Sequence, residues 1–322
     1  MQPVRWGIIG CGDVTEVKSG PGFQKAEGSR LVAVMRRNGE LAQDYARRHQ
    51  VPRWYDDAAR LIADPEVDAV YVATPPSTHK GYTLQVAAAG KPVYVEKPMA
   101  LSSADCQEMI ATCKRAGVPL FVAYYRRALP RFLKVKDLVE SGAVGELRYC
   151  SIELSQRPPE QPLSDDQLPW RLRPEISGGG HFMDLACHTL DFLDYLLGPI
   201  SSAVGAASNQ GGFYPAEDIV SASFRFQSGI HGTGVWCFTS YAPQDRVELT
   251  GSRGKIRFAS FSNDPIVLTT ASGSQEFQIE HPAHVQQPLI QQIVNQLLGS
   301  GQCVSTGESA ARTTRVMEQI LG

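Results

Sequence analysis

Short apolar runs recur through the first 123 residues, at 4–9, 31–35, 67–73, 93–95 and 120–123. Most of their positions are apolar in succession rather than in alternation, the pattern of strands covered on both faces. Between them, stretches near 38–49, 57–62, 79–89 and 102–116 read as helices. Their ends are punctuated. Asn38 can cap the first, Ser102 stands three residues before Asp105 as in a capping box, and Gly90 and Gly117 sit at helix exits. This alternation predicts a parallel sheet with helices on both sides.

The texture changes after Ala123. Residues 131–141 and 181–197 keep a helical pattern, but most later segments alternate. In 219–226, Ile219, Ala222 and Phe224 are interspersed with Ser221, Ser223 and Arg225. Comparable runs fall at 147–154, 230–237, 246–249, 255–259, 266–269 and 276–279, and Gly251-Ser252-Arg253-Gly254 supplies a turn between two of them. They predict an antiparallel sheet, partly solvated, with helices on one side. Residues 285–298 and 310–320 return to helix, and no unit of 20–50 residues repeats. The expected fold class is α/β, with a parallel domain over 1–123 and an α/β domain with a large, mostly antiparallel sheet over 124–322. The final helical segment is free to pack back on the first domain. Tyr124-Tyr125-Arg126-Arg127 follows the preceding strand directly, so a packed cleft is expected rather than two beads on a linker.

Composition narrows the class. A chain of 322 residues with 43% apolar content can bury a sizeable core. Its net charge of −2 gives no support for nucleic acid as a partner. Seven cysteines, at 11, 106, 113, 150, 187, 237 and 303, form no C-x-x-C pair and read as reduced core thiols. The chain reaches an apolar strand too soon for a secretory signal, and no apolar run approaches the roughly 20 residues of a membrane helix. A soluble, cytoplasmic protein without a membrane partner is expected.

The chemistry begins at Gly7-Ile8-Ile9-Gly10-Cys11-Gly12-Asp13-Val14-Thr15, directly after the first strand. Gly10 permits a tight turn, Gly12 lets the backbone approach a pyrophosphate, and amides at Asp13 and Val14 open a helix toward that charge. Thr15 takes the usual third-glycine or alanine position, a departure expected to loosen the packing of helix on sheet. A glycine-rich turn without a ligand has the same local pattern, but the strand–turn–helix context favours a Rossmann cradle. At the end of the second strand, Arg36 and Arg37 stand where an NAD-binding domain ordinarily has an acid for the ribose diol. Guanidinium suits a ribose 2′-phosphate, so NADP(H) is favoured over NAD(H), with NAD(H) kept open. Glu40 lies too far beyond the strand to be a good diol ligand.

Thr74-Pro75-Pro76-Ser77-Thr78-His79 closes the third run, at the crevice beyond the sheet's carboxyl ends. Thr74, Pro75 and His79 either border the nicotinamide or form a proline-shaped turn with a polar cap. Glu96-Lys97 ends the next strand. Lys97 can polarise a carbonyl or relay a proton, with Glu96 fixing its ammonium or touching the cofactor. A surface ion pair is the plain alternative. In the second half, Gly178-Gly179-Gly180 precedes Asp184, His188 and Asp191, whose offsets put them on one helical face. Asp184 can select the His188 tautomer, both can hold substrate hydroxyls, or they can form an i,i+4 pair at a domain interface. No separate cluster of metal ligands presents itself.

In their order, the glycine turn, Thr74–His79, Glu96-Lys97-Pro98 and Gly178-Gly179-Gly180 followed by Asp184 and His188 resemble the Gfo/Idh/MocA oxidoreductases. The resemblance spans nearly the whole chain. It implies a Rossmann domain followed by an α/β domain, with Lys97, Asp184 and His188 meeting the nicotinamide across the domain cleft. Assembly as a homodimer or homotetramer through the second-domain sheet is implied as well. Tyr124-Tyr125-Arg126-Arg127 resembles the family's aromatic and basic segment, so Tyr124 and Arg126 are candidates for the substrate pocket, with Trp170 and Arg171 at its rim. The expected reaction is hydride transfer between nicotinamide and a sugar, polyol or related cyclic alcohol or ketone. Lys97 is the first choice for the proton, His188 its rival and Asp184 the orienting group. A dihydrodiol or other carbonyl oxidoreductase is one alternative, and a non-catalytic, dinucleotide-responsive regulator is another.

Overall fold

The structure is a computed structural model that describes residues 2–322. The chain forms two compact units, one built from residues up to Leu129 with Pro282–Ala311, the other from Pro130–His281 with Arg312–Gly322.

The first unit alternates β1 (Val4–Ile9), α1 (Asp13–Val17), α2 (Gly20–Lys25), β2 (Ser29–Met35), α3 (Gly39–Arg48), β3 (Arg53–Tyr55), α4 (Ala58–Ala63), β4 (Ala69–Val72), α5 (Pro76–Ala88), β5 (Val93–Val95), α6 (Ser103–Ala116) and β6 (Leu120–Val122). The strands are all parallel, in the order β3-β2-β1-β4-β5-β6. This is a Rossmann-like sheet whose winding reverses between β1 and β4, so the crevice beyond their carboxyl ends is the place for a ligand. β4 and β5 are buried at every position, as strands covered on both faces must be. The expected caps form. Asn38 Oδ1 accepts from the Leu41 amide at 3.1 Å, Ser102 Oγ from the Asp105 amide at 3.1 Å, and Gly117 leaves its helix at φ 68°.

The second unit contains α7 (Pro130–Glu140), β7 (Leu147–Ser155), α8 (Pro174–Ser177) and α9 (Cys187–Leu197), the last preceded by a π-helical segment at Phe182–Ala186. Seven strands follow, β8 (Ile200–Ser208), β9 (Ile219–Phe226), β10 (His231–Cys237), β11 (Gln244–Gly251), β12 (Gly254–Phe258), β13 (Ile266–Thr270) and β14 (Gly273–Phe277). The eight-stranded sheet runs β14-β13-β12-β11-β7-β10-β9-β8, and only the β7–β10 pair is parallel. Alternation sorts its two faces. Val220, Phe224, Phe226, Trp236, Val247, Leu249, Ile256 and Phe258 are buried, while Ser221, Ser223, Thr233 and Val235 face outward. The buried side meets helical segments through edge-on ring pairs, Phe258 with Phe192 at 5.8 Å and Trp236 with Phe182 at 5.0 Å.

Two helices end the chain, α10 (Gln287–Leu297) and α11 (Gly307–Leu321). Leu289, Ile290, Ile293 and Val294 lie at helical spacing along α10. They are fully buried in the first unit's core beside Trp6, Phe23, Tyr71 and Tyr94, each contributing about 1.5–3 kcal/mol by burial. The sequence reading does not place α2, hidden by its Gly-Pro-Gly opening, β8, whose Ser, Ala and Gly lack strand propensity, β3, three residues with an exposed Trp54, or the single-turn α8.

Candidate active site

The turn after β1 is closed by main-chain bonds. The amides of Gly10 and Cys11 both donate to the Met35 carbonyl, at 2.8 and 3.1 Å, fixing the loop to the end of β2. Gly10 is in the left-handed region at φ 92°, and a Cβ there would lie 2.7 Å from Thr74 Cγ2. Gly12 is different: a Cβ there would meet only the Gly10 carbonyl oxygen, at 3.9 Å. Protein packing therefore does not demand glycine at 12, and open space lies over the loop where a phosphate would approach. Thr15 and Glu16 donate back to the Gly12 carbonyl, which leaves the amides of Asp13 and Val14, at the first two helical positions, for an outside acceptor. These features fit a dinucleotide. Thr15 does not loosen the packing as the sequence suggested. Its hydroxyl donates to the Gly12 carbonyl at 2.8 Å and accepts from the Gly12 amide at 2.9 Å, so a fully buried polar side chain is satisfied within its own turn.

Arg36 and Arg37 follow β2 with both side chains exposed, and neither enters an ion pair among the described residues. Arg36 is close enough to be felt in the loop. Burial pushes the Cys11 thiol up to about 11, and the Arg36 charge opposes that rise. Thr74 and Pro75 lie between β4 and α5, with Thr74 against Gly10. His79 is fully buried, its Nδ1 2.9 Å from the Pro98 carbonyl and its Nε2 2.7 Å from the Thr74 carbonyl. It therefore braces the loops that carry Thr74 and Pro98 from behind. Burial pulls its imidazole below the ordinary value, more strongly than the two carbonyls raise it.

Lys97 follows β5 directly and is partly exposed, whereas Val93–Val95, Glu96 and Pro98 are buried. The Lys97-Pro98 peptide is cis. The Glu96 carboxylate does not hold the Lys97 ammonium. It accepts from the Tyr71 hydroxyl through a short bond, from Gln286 Nε2 at 2.6 Å and from the Lys97 amide at 3.2 Å. Tyr124 and Arg126, at the turn that follows β6, are both buried, and the Arg126 guanidinium lies 5.3 Å from the Tyr125 ring centroid.

In the second unit the triple glycine leads into the π segment that carries Asp184, and His188 is in the first turn of α9. Arg171, stacked on Trp170 at 4.4 Å, pairs with Asp184 at 3.4 Å. Two candidate groups from separate stretches of sequence are thus brought together. His188 is buried, and its ring meets Phe261 edge-on at 5.9 Å. Asp191 is taken up by structure, accepting from the Thr313 hydroxyl at 3.3 Å.

Sequence reasoning missed three residues here. Glu217 accepts from the Gly180 amide at 2.9 Å and steadies the glycine run, and burial pushes its carboxyl up. His181, packed against Phe238 and Tyr214 at 5.1 and 5.7 Å, is near enough to feel the charges of Asp184 and Arg171. Gln286 reaches Glu96 across 190 positions, a separation no local motif can signal. Among the described residues, no group of three or more His, Cys, Asp or Glu is arranged to hold a metal, and no helix is long and apolar enough to cross a membrane.

A family model described as the oxidoreductase family with an NAD-binding Rossmann fold matches residues 4–124, and one for the GFO/IDH/MocA C-terminal domain matches residues 132–257. Across 99% of its length the chain is 38% identical to Oxidoreductase P35 of Formosa agariphila, covering 98% of that protein. It is 30% identical over 78% of its length to trans-1,2-dihydrobenzene-1,2-diol dehydrogenase of Mus musculus, of which 73% is covered. Among solved structures, aldose-aldose oxidoreductase from Caulobacter crescentus, complexed with glycerol, is similar at a TM-score of 0.85 and 27% identity, with 99% of this chain and 96% of that one covered.

Proposed function

Because the chain belongs to the Gfo/Idh/MocA family of oxidoreductases, we propose that it oxidises or reduces a sugar, polyol or related cyclic alcohol or ketone with NADP(H) as the preferred dinucleotide. The class is that of the NAD(P)-dependent dehydrogenases and reductases acting on alcohol and carbonyl groups. The observation that carries the reading is Lys97, partly exposed in a run of buried residues at the carboxyl end of a parallel strand. That edge is where an α/β sheet presents chemistry to a bound nucleotide.

When bound, the dinucleotide supplies the hydride acceptor or donor. Gly10 sets the tight turn, Gly12 leaves room for its diphosphate, and the amides of Asp13 and Val14 receive that charge. Arg36 and Arg37 take the 2′-phosphate, while Thr74 and Pro75 border the nicotinamide. His79 and Glu96 serve the cofactor side by holding the Thr74 and Lys97 loops. Lys97 polarises the carbonyl in reduction and relays the hydroxyl proton in oxidation. His188 is the alternative acid/base, and Asp184 orients it or holds substrate hydroxyls. Tyr124, Arg126, Trp170 and Arg171 shape the substrate side. The aldose-aldose oxidoreductase supports the sugar reading, and the mouse relative makes a dihydrodiol the substrate to test against it. Seven cysteines outside any disulfide among the described residues suit a reducing compartment, the cytoplasm. The outward sheet face of the second unit suits assembly into a homodimer or homotetramer.

The test is turnover of aldoses, cyclic polyols, ketones and a dihydrodiol with NADP and NAD, in both directions. Lys97→Ala is expected to lower kcat by about 10²–10⁴-fold while cofactor Kd stays within about threefold. Near-normal turnover would pass the proton to His188. Replacing Arg36 and Arg37 together by Ala should weaken NADP binding about 10–100-fold and leave NAD nearly unchanged. Equal loss for both cofactors would reject 2′-phosphate recognition.

A further inference from the structure

Glu96 is a buried carboxylate one residue before the proposed proton-handling lysine, and its bonds are all directed inward. Oε1 accepts from Tyr71 and from Gln286 Nε2 at 2.6 Å, and Oε2 accepts from the Lys97 amide at 3.2 Å. Gln286 is itself held. It is 1% exposed, and its Oε1 accepts from the Tyr94 hydroxyl at 2.8 Å, which fixes the amide so that Nε2 must donate to Glu96. Its main-chain amide donates to the Lys18 carbonyl at 3.1 Å, at the end of the helix that leaves the glycine turn. Two residues earlier, His284 Nδ1 donates to the Val17 carbonyl at 2.7 Å and its Nε2 accepts from Lys25 Nζ at 2.8 Å. The segment that re-enters the first unit before α10 thus grips both the end of α1 and the carboxylate beneath Lys97.

We propose that Gln286 is a positioning residue for Lys97. It holds the Glu96 side chain in its inward-facing position, which fixes the Lys97 main chain, and it ties that loop to the helix of the nucleotide cradle. The inference rests on the role proposed above for Lys97. A neutral, immobilised amide is suited to the task, because it stabilises the carboxylate by donation without neutralising the lysine or competing with it for a proton. Other titratable groups that feel Glu96 include Tyr71 and Tyr94, both pushed up by burial, and His79, whose imidazole burial pulls below the ordinary value.

Four proteins and two readouts test this. The wild type must turn over with a nicotinamide cofactor and lose that turnover in Lys97→Ala, and its failure to do so would strike the functional reading alone. Gln286→Leu removes the donor and is expected to lower kcat about 10–30-fold with both KM values within about twofold. Gln286→Glu can restore the donor only while its carboxyl is protonated. It should regain activity at acidic pH and lose it as pH rises and like charges meet. The second readout needs no cofactor: amide hydrogen exchange of the peptide over 93–100 should accelerate at least about tenfold in Gln286→Leu, with the peptide over 4–9 unchanged. Unchanged exchange over 93–100, equal acceleration in both peptides, a rise in KM with kcat preserved, or a Gln286→Glu profile that follows Gln286→Leu at every pH would each overturn the proposal.

Discussion

A methyl group added at Gly10 would sit 2.7 Å from Thr74 Cγ2 on a backbone at φ 92°, whereas one added at Gly12 would meet nothing closer than a carbonyl oxygen at 3.9 Å. The two glycines of one motif therefore answer to different demands, one to the fold and the other to a ligand. Gly10→Ala should cost about 2–4 kcal/mol through left-handed strain and overlap, lowering Tm by roughly 3–6 °C in a chain of this size. Gly12→Ala should cost about 1 kcal/mol or less, as a capping change, yet weaken dinucleotide binding at least about tenfold by closing the approach to the phosphates. Thermal unfolding and a fluorescence titration of each variant separate the two effects. Equal stability losses with equal affinity losses would remove the distinction. The residue scale also shows why the motif's third position tolerates threonine, since Thr15 spends both hydroxyl bonds on Gly12 and exposes nothing.

Elements with strong local signals were readable from the chain alone. Wholly apolar β4 and β5, capped α3 and α6, and the alternating β9 and β10 each carry their instruction within a few residues. The elements that escaped are those whose stability comes from neighbours. β8 is made of Ile, Ser, Ala, Val and Gly, and becomes a strand because β9 pairs with it along its length. At the candidate site the motif residues Gly10, Lys97, Asp184 and His188 stand out locally, while Gln286 and Glu217 become visible only when distant segments meet. The short α1, opened by the glycine turn as expected, also draws on a distant segment. It is clasped to α3 by Glu16, which pairs with Arg48 at 2.7 Å and with His49 at 2.7 Å. The Arg48 hydrogen bond, more than His49, holds the Glu16 carboxyl down to about 2, from an ordinary 4.5. A lowered acid stabilises the fold above its unfolded value and loses that contribution as pH falls through the folded one, here between about pH 5 and pH 2. The pair is partly exposed, so after screening it is worth about 1 kcal/mol or less. Glu16→Gln should therefore lower Tm by roughly 1–3 °C at pH 7, and the gap to wild type should narrow by pH 3. A gap that stays constant from pH 7 to pH 3 would show that the charge plays no part.

At the scale of the whole molecule, the outward face of the eight-stranded sheet is the feature that a single chain leaves unexplained. Register places Val204, Ser223, Thr233 and Ser151 in one row across β8, β9, β10 and β7, with Ala206, Ser221, Val235 and Glu153 in the next. Val204 is 66% exposed, Val235 45% and Tyr149 46%. Flanking them, Glu153 pairs with Arg246 and Glu248 with Lys255, so part of the charge on the face is neutralised by its own residues. Small side chains make the β8–β10 region flat, and a flat, partly apolar sheet face can pack on a copy of itself at about 10 Å. The net charge of −2 offers little repulsion to oppose that contact. In a two-fold assembly each substitution acts twice, once from each partner. Val204→Glu with Val235→Glu would place four carboxylates in one interface, against little penalty on a solvated face. Sedimentation at about 10 μM should find the wild type as a dimer or tetramer and the double variant as a monomer, with an unchanged far-ultraviolet spectrum. A wild type that sediments as a monomer, or a variant that keeps the wild-type mass, would rule this face out as the interface. Turnover of the monomeric variant also shows whether activity requires the assembly.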